Sequence, residues 1–309
     1  MIKSVIQRCM QFIPVFFGIT LLSFGLLYIA PSDPVSVRLS AGGLTADPQI
    51  VAQMRAEMGL DAPFLVQYGR WLIRFLQGDM GTSYITDIPV ATTFWQALPY
   101  TLRIAGSAMA LTLLISLPLG IMIAAWHNSR MDYVIRFLTF IGNATPGFII
   151  AIVLMFVFSY RLGWIPVLAT TKPIGMILPS ATLALVMSSR YIRQIRAAAL
   201  DELRKDYIIG LRARGISERV ILFRNVLKNI MVIVITLIGI SVGALLGGTV
   251  IIETIFNWPG IGSLIMTAIT NRDYPVIQAV VVWMALAFFL VNLIADFSYR
   301  YFNPKIKDL

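Results

Sequence analysis

Cysteine, histidine and charge are all scarce in this chain, and each shortage excludes something. The 309 residues include one cysteine, Cys9, so no internal disulfide framework can form. The one histidine, His127, leaves no His/Cys cluster for an ordinary metal site. Charged residues make up only 13% of the chain against 58% hydrophobic, too little charge to clothe a soluble domain of this length. There is no GxxxxGK[ST] loop, so the chain is not expected to bind and split ATP by itself. GxSxG and HExxH are absent as well, and no internal repeat stands out.

What the chain has instead is long apolar runs. Mean hydropathy is +0.81, which points to an all-α polytopic membrane protein. A helix needs about 20 apolar residues to span a bilayer. Six stretches qualify, near 9–30, 100–126, 134–160, 175–190, 229–252 and 279–298. The fourth is short and contains Pro179. The first follows Lys3 and Arg8 but is longer than a signal-peptide core. It also lacks a small-x-small cleavage site before Pro31, so it reads as a retained span.

Placing the N-terminus inside puts 17 of the 25 Lys and Arg residues on the inner side, ten of them between Arg190 and Lys228. The outer side then holds eight basic and eight acidic residues. The net charge of +10 is therefore a matter of topology, and no nucleic-acid partner is required. Both termini are then expected in the cytoplasm.

The longest outer segment runs from Pro31 to about Pro99. Asp47 and Pro48 look like an N-cap with proline at the first helical position. Ile50, Val51, Met54 and Met58 then share a face, and Gly59 can close the helix. Tyr68, Trp71, Leu72, Phe75 and Leu76 make a second amphipathic helix ending near Gly78. The segment reads as a small extracytoplasmic helical cap.

Within the spans, Gly239, Gly243 and Gly247 recur every four residues and line one helix face. Such a face permits close helix packing, or faces a passage or a second subunit. Pro118 and Gly120 are expected to interrupt the second span. Asn143, Pro146 and Gly147 are expected to interrupt the third. Asn143 is a candidate for the passage, because a polar side chain at membrane depth needs a partner. Carboxylates are nearly absent there; Glu253 and Asp296 lie near span ends. That scarcity argues against ion coupling, so energy for uphill movement is expected from outside the chain.

One segment breaks the apolar pattern. Asp201 to Asn229 reads DELRKDYIIGLRARGISERVILFRNVLKN and carries seven Lys/Arg and four Asp/Glu. Tyr207, Ile208 and Leu211 cluster on one face of a short helix, with Arg204, Lys205, Arg212 and Arg214 around it. Gly215 can end that helix in the left-handed conformation. Ser217 can cap the next one, with Glu218 near its positive end. A merely solvated loop needs neither an apolar stripe nor caps. A DNA-binding helix-turn-helix would be jammed against the membrane by a span on each side. A docking element for a cytoplasmic partner fits both features.

DYIIGLRARGIS followed by RNVLKN resembles the EAA loop of permease subunits of ABC importers, best at Asp206, Tyr207, Ala213, Gly215 and Asn229. This copy has Ile209-Gly210-Leu211 in place of the Glu-Ala-Ala triplet. Ile233 stands where the family has a proline. GLDAPFLVQYGRWLIRFLQGDMGTSY (59–84), GGTVIIETIFNWPGIG (247–262), NRDYPVIQ (271–278) and the ending NPKIKD resemble the peptide/nickel branch, so the likeness covers the whole chain.

The resemblance implies a type I ABC importer permease fold with six transmembrane helices. Residues 1–95 would hold the first span and the outer helical region. Residues 96–309 would form a five-helix core, with the coupling loop at about 201–229. It implies a second homologous permease subunit, two cytoplasmic ATPase subunits, an extracytoplasmic substrate-binding protein and surrounding membrane lipid. The chain itself would be no enzyme and hold no cofactor, with ATP and Mg on the partner subunits. Asp206, Tyr207, Arg212, Ala213 and Gly215 would serve ATPase coupling. Asn143, Gly239, Gly243 and Gly247 would line the translocation path. The cargo is expected to be nickel or a metal chelate, or short peptides. The reading from another class is an ion-coupled or passive carrier or channel working without ATPase subunits.

Overall fold

A computed structural model describes residues 2–30, 34–41, 48–167 and 172–302. Asp47, the NPKIKD ending and the side chain of Asp296 lie outside the described residues. In chain order the helices are α1 (Ile2–Ile29), α2 (Pro34–Ala41), α3 (Pro48–Glu57), α4 (Phe64–Leu76), α5 (Val90–Ala125), α6 (Arg130–Ala144) and α7 (Gly147–Leu154). They continue as α8 (Pro173–Leu203), α9 (Asp206–Ala213), α10 (Glu218–Val220), α11 (Leu227–Ile255), α12 (Ile261–Thr270) and α13 (Tyr274–Phe302). π-helical turns extend α7 through Met155–Arg161 and join α10 to α11 through Ile221–Val226. The described residues also contain one isolated β-bridge, between Thr82 and Pro89.

Among the described residues, four segments are long and apolar enough to cross a membrane: Gln7–Ile29, Val90–Ala125, Glu218–Leu245 and Tyr274–Ile294. A fifth exists if α6 and α7 with its π turn count as one span, although the chain bends there by 105°. The bend has a local cause. Proline steers the residue before it out of the helical region, and Thr145 is extended at φ −86°, ψ 125°. The expected fourth span, 175–190, lies within α8. That helix is not among the segments apolar enough to cross, since Arg190, Arg193 and Arg196 sit along it. By length and composition, four or five of the expected six spans qualify among the described residues.

The chain forms two compact units. The first holds residues 1–101 and 259–290. Its core brings Phe75, Met80, Val90, Phe94 and Ala97 together with Ile261, Ala268 and the Val276–Val282 turns of α13. Phe24 of α1 meets Phe64 and Tyr68 of α4 edge-on, and the hydroxyls of Thr20 and Tyr68 are 2.9 Å apart. Leu72 and Phe75 are buried as the α4 stripe predicts, but Leu76 is 66% exposed. The α3 stripe finds no core: none of that helix's residues is buried. Gly59 and Gly78 close their helices with φ +67° and +90°, the left-handed geometry glycine allows.

The second unit holds residues 102–258 and 291–309. In it α6, α7 and α11 pack against α8. α5 runs unbroken past Pro118 and Gly120, where an interruption was expected. Gly120 serves close approach instead: a Cβ there would lie 2.7 Å from Ile195 Cγ2. Gly142 does the same for α6, because its Cβ would overlap the hydroxyl of Ser189 on α8.

Candidate functional site

The charged interruption folds as a hairpin at the foot of the second unit. α9 is pinned by Ile208, which is fully buried against Tyr191, Ile195, Ala199, Ile221, Leu222 and Val226. Leu211 and Ile216 pack on the same cluster. The expected stripe is therefore split. Ile208 and Leu211 point inward, whereas Tyr207 stays 39% exposed at the edge. Asp206 opens the helix, where a negative charge meets the positive end of the helix dipole. Ile209, Gly210 and Ala213 face outward, with Ile209 60% exposed.

Gly215 has φ +75°. A Cβ there would meet nothing within 4 Å, so backbone conformation, not crowding, selects glycine. Ser217 stands at the N-cap of α10, but its side chain makes no capping hydrogen bond. The turn is tied elsewhere. Arg212 Nε and Nη2 donate to the two carboxylate oxygens of Glu218 at 2.5 and 3.2 Å. Both partners are exposed, so the pair contributes at most about 1 kcal/mol.

A buried carboxylate that the sequence reading did not single out organises the hairpin. Glu202, near the end of α8, is 6% exposed. It accepts from Lys205 Nζ at 2.6 Å, Tyr207 OH at 2.7 Å and Asn229 Nδ2 at 2.8 Å. Asn229 also donates to Tyr207 OH at 3.0 Å. Burial alone would raise the Glu202 pKa. The hydrogen bonds from Lys205, Tyr207 and Asn229 outweigh it and hold the carboxyl below its ordinary value. Burial, then the bond to Glu202, pushes the Tyr207 hydroxyl up. One carboxylate thus joins α8, α9 and α11.

A second pair lies six residues earlier on α8. Arg196 Nε and Nη2 donate to the two oxygens of Asp132 at 2.7 and 2.6 Å. Asp132 is fully buried and also accepts from the Asn128 backbone at 3.0 Å. Ser129 caps α6 by accepting from the Asp132 backbone N–H at 3.2 Å. The Asn229 bond to Glu202 and the Asp132–Arg196 pair have no short-range signature, since their partners lie 27 and 64 residues apart.

The four passage candidates sit on two helices that both pack on α8. Asn143 is exposed in the last turn of α6, just before the bend. Along α11, Gly239 is half-buried, Gly243 buried and Gly247 exposed, with nothing within 4 Å of a Cβ at Gly247. The sequence reading passed over three buried hydroxyls in this unit, Ser116, Ser188 and Thr249, which have no hydrogen-bond partner among the described residues. Hydroxyls within otherwise apolar helices are the signal that could have found them.

Two family models match the chain. The model described as "Binding-protein-dependent transport system inner membrane component" covers residues 116–308. Its companion, "Binding-prot-dependent transport system membrane comp, N-term", covers residues 1–105. The chain is 37% identical over 307 residues to the glutathione transport system permease protein GsiC of Salmonella paratyphi A, covering 99% of each. It is 33% identical over 335 residues to the dipeptide transport system permease protein DppB of Alkalihalophilus pseudofirmus, covering 99% of this chain and all of that one. Among solved structures it resembles an inward-facing crystal form of the MetNI methionine ABC transporter. That match has a TM-score of 0.59 at 15% identity, over 69% of this chain and 97% of that one.

Proposed function

The chain belongs to the binding-protein-dependent transport system inner membrane components, and from that membership we propose that it is the permease subunit of an ATP-driven importer of short peptides. A short peptide is preferred to nickel or a metal chelate because relatives 37% and 33% identical over almost their full length are named for glutathione and a dipeptide. Its partners are a second permease subunit, two ATPase subunits carrying ATP and Mg, and an external binding protein. Both termini and α9 lie in the cytoplasm, and α2–α4 lie outside. Residues 1–95 hold the first span and the outer helices. Residues 96–309 form the permease core, with α8 as one of six spans.

One observation carries the coupling role. α9 is anchored on one face by Ile208 and Leu211 and open on the other at Ile209 and Ala213. A partner can therefore press on it without unfolding it. Asp206 and Tyr207 fix its start, Arg212 ties it across the turn, and Gly215 makes the turn. Closure of the ATPase pair drives α9, and the spans then open the passage beside Asn143, Gly239, Gly243 and Gly247 in alternation.

The test is uptake of a labelled dipeptide and of glutathione into proteoliposomes, with and without the ATPase subunits. Uptake is expected only with ATP and those subunits; uptake without them sinks the importer reading. Gly215→Pro is expected to leave membrane insertion intact. Proline cannot reach φ +75°, so the variant should hydrolyse ATP with uptake reduced by about tenfold or more, equivalent to ~1.4 kcal/mol.

A further inference from the structure

The first unit contains a cleft of about 830 Å³ that the import reading does not use. Its size is in the range of small-ligand sites. The apolar wall is Phe24 and Tyr28, at the end of the apolar segment Gln7–Ile29, together with Trp71 of α4. Gln278 supplies a buried amide.

The charges lining the cleft are unequal. Arg38, Arg55, Arg70 and Arg74 face Glu57 and Asp79. Arg38 is paired with Asp87 at 2.7 Å, and Arg55 with Asp61 at 3.4 Å. Glu57 accepts from Gln53, and Asp79 accepts from the Gly81 backbone. Arg70 and Arg74 remain, one turn apart on α4, with no partner among the described residues. The loop beneath them is braced. Gln67 donates to the carbonyls of Leu60 and Ala62 at 2.7 and 2.8 Å, and a Cβ at Gly59 would lie 3.1 Å from Arg70 Nη1. Tyr84 adds a hydroxyl that burial, and then the Asp273 charge, push up to about 12, so it stays a hydrogen-bond donor.

We propose that this cleft binds an organic oxyanion, with Arg70 and Arg74 taking its phosphate or carboxylate oxygens and Trp71 and Tyr28 covering its apolar part. Two guanidinium forks are suited to either group. An anionic lipid headgroup or the carboxylate of a soluble short peptide would supply this chemistry. The end of an apolar span flanked by aromatic rings is also where headgroups lie. The proposal is independent of ATP-driven uptake.

The experiment uses the full chain in nanodiscs, without ATPase subunits. Phosphatidylglycerol retention is read by native mass spectrometry against phosphatidylcholine, and dialanine binding by tryptophan fluorescence. Arg70→Gln/Arg74→Gln is expected to weaken at least one of the two by fivefold or more, with helicity and elution unchanged. Loss of phosphatidylglycerol assigns the lipid source, and loss of dialanine the soluble one. If the double variant does not fold, each single variant is expected to weaken the same ligand. Unchanged binding of both probes overturns the site. So does an equal loss in Arg161→Gln, which removes a charge outside the cleft.

Discussion

Glu202 shows how one residue can organise a surface that it does not itself form. Three donors converge on its carboxylate, Tyr207 from α9, Asn229 from α11 and Lys205 from the link between α8 and α9, so truncation removes all three bonds together. Glu202→Ala is expected to cost about 1 kcal/mol, because the hydrogen bonds are lost but their exposed donors can turn to water, and to lower the detergent-solubilised melting temperature. Glu202→Gln should cost less, since its amide oxygen still accepts from Tyr207 and Asn229. The pH dependence follows from the direction of the shift. A carboxyl held below its ordinary value stabilises the fold above the ordinary glutamate pKa. That contribution is lost as pH falls through the lowered value. Wild type should therefore lose stability on acidification more steeply than Glu202→Gln in thermal unfolding scans.

At the level of elements, glycines separate into those that fit this chain and those that face away from it. Gly142→Ala is expected to push α6 off α8, at a cost of about 1–3 kcal/mol. Gly247→Ala meets open space and should leave the melting temperature unchanged. Both follow from unfolding of the isolated chain. The same contrast shows what could be read in advance. Glycines at turns were legible: Gly59, Gly78 and Gly215 follow apolar stripes and need a left-handed backbone. The break at Pro146 was legible too, since proline acts on its own neighbour. The Asn229 bond to Glu202 and the Asp132–Arg196 pair were not, because those partners meet only after α8 has packed on α11 and α6. The α3 stripe was misleading for a related reason. An amphipathic pattern records that a face is apolar, not that this chain covers it.

For the whole molecule, the asymmetry of positive charge is the testable quantity. With Cys9 replaced, a cysteine at Arg214 is expected to react with an impermeant maleimide only in inside-out vesicles. A cysteine at Asp61 should react only in right-side-out vesicles. Labelling from the same side would refute the proposed topology. The same topology gives the fastened hairpin a mechanical meaning. α9 is held at Ile208, at the Glu202–Asn229 cluster and across the turn by Arg212 and Glu218. Under the proposed coupling role, a push at Ile209 would reach α8 and α11 together through Glu202 and Asn229, as a lever with two output arms.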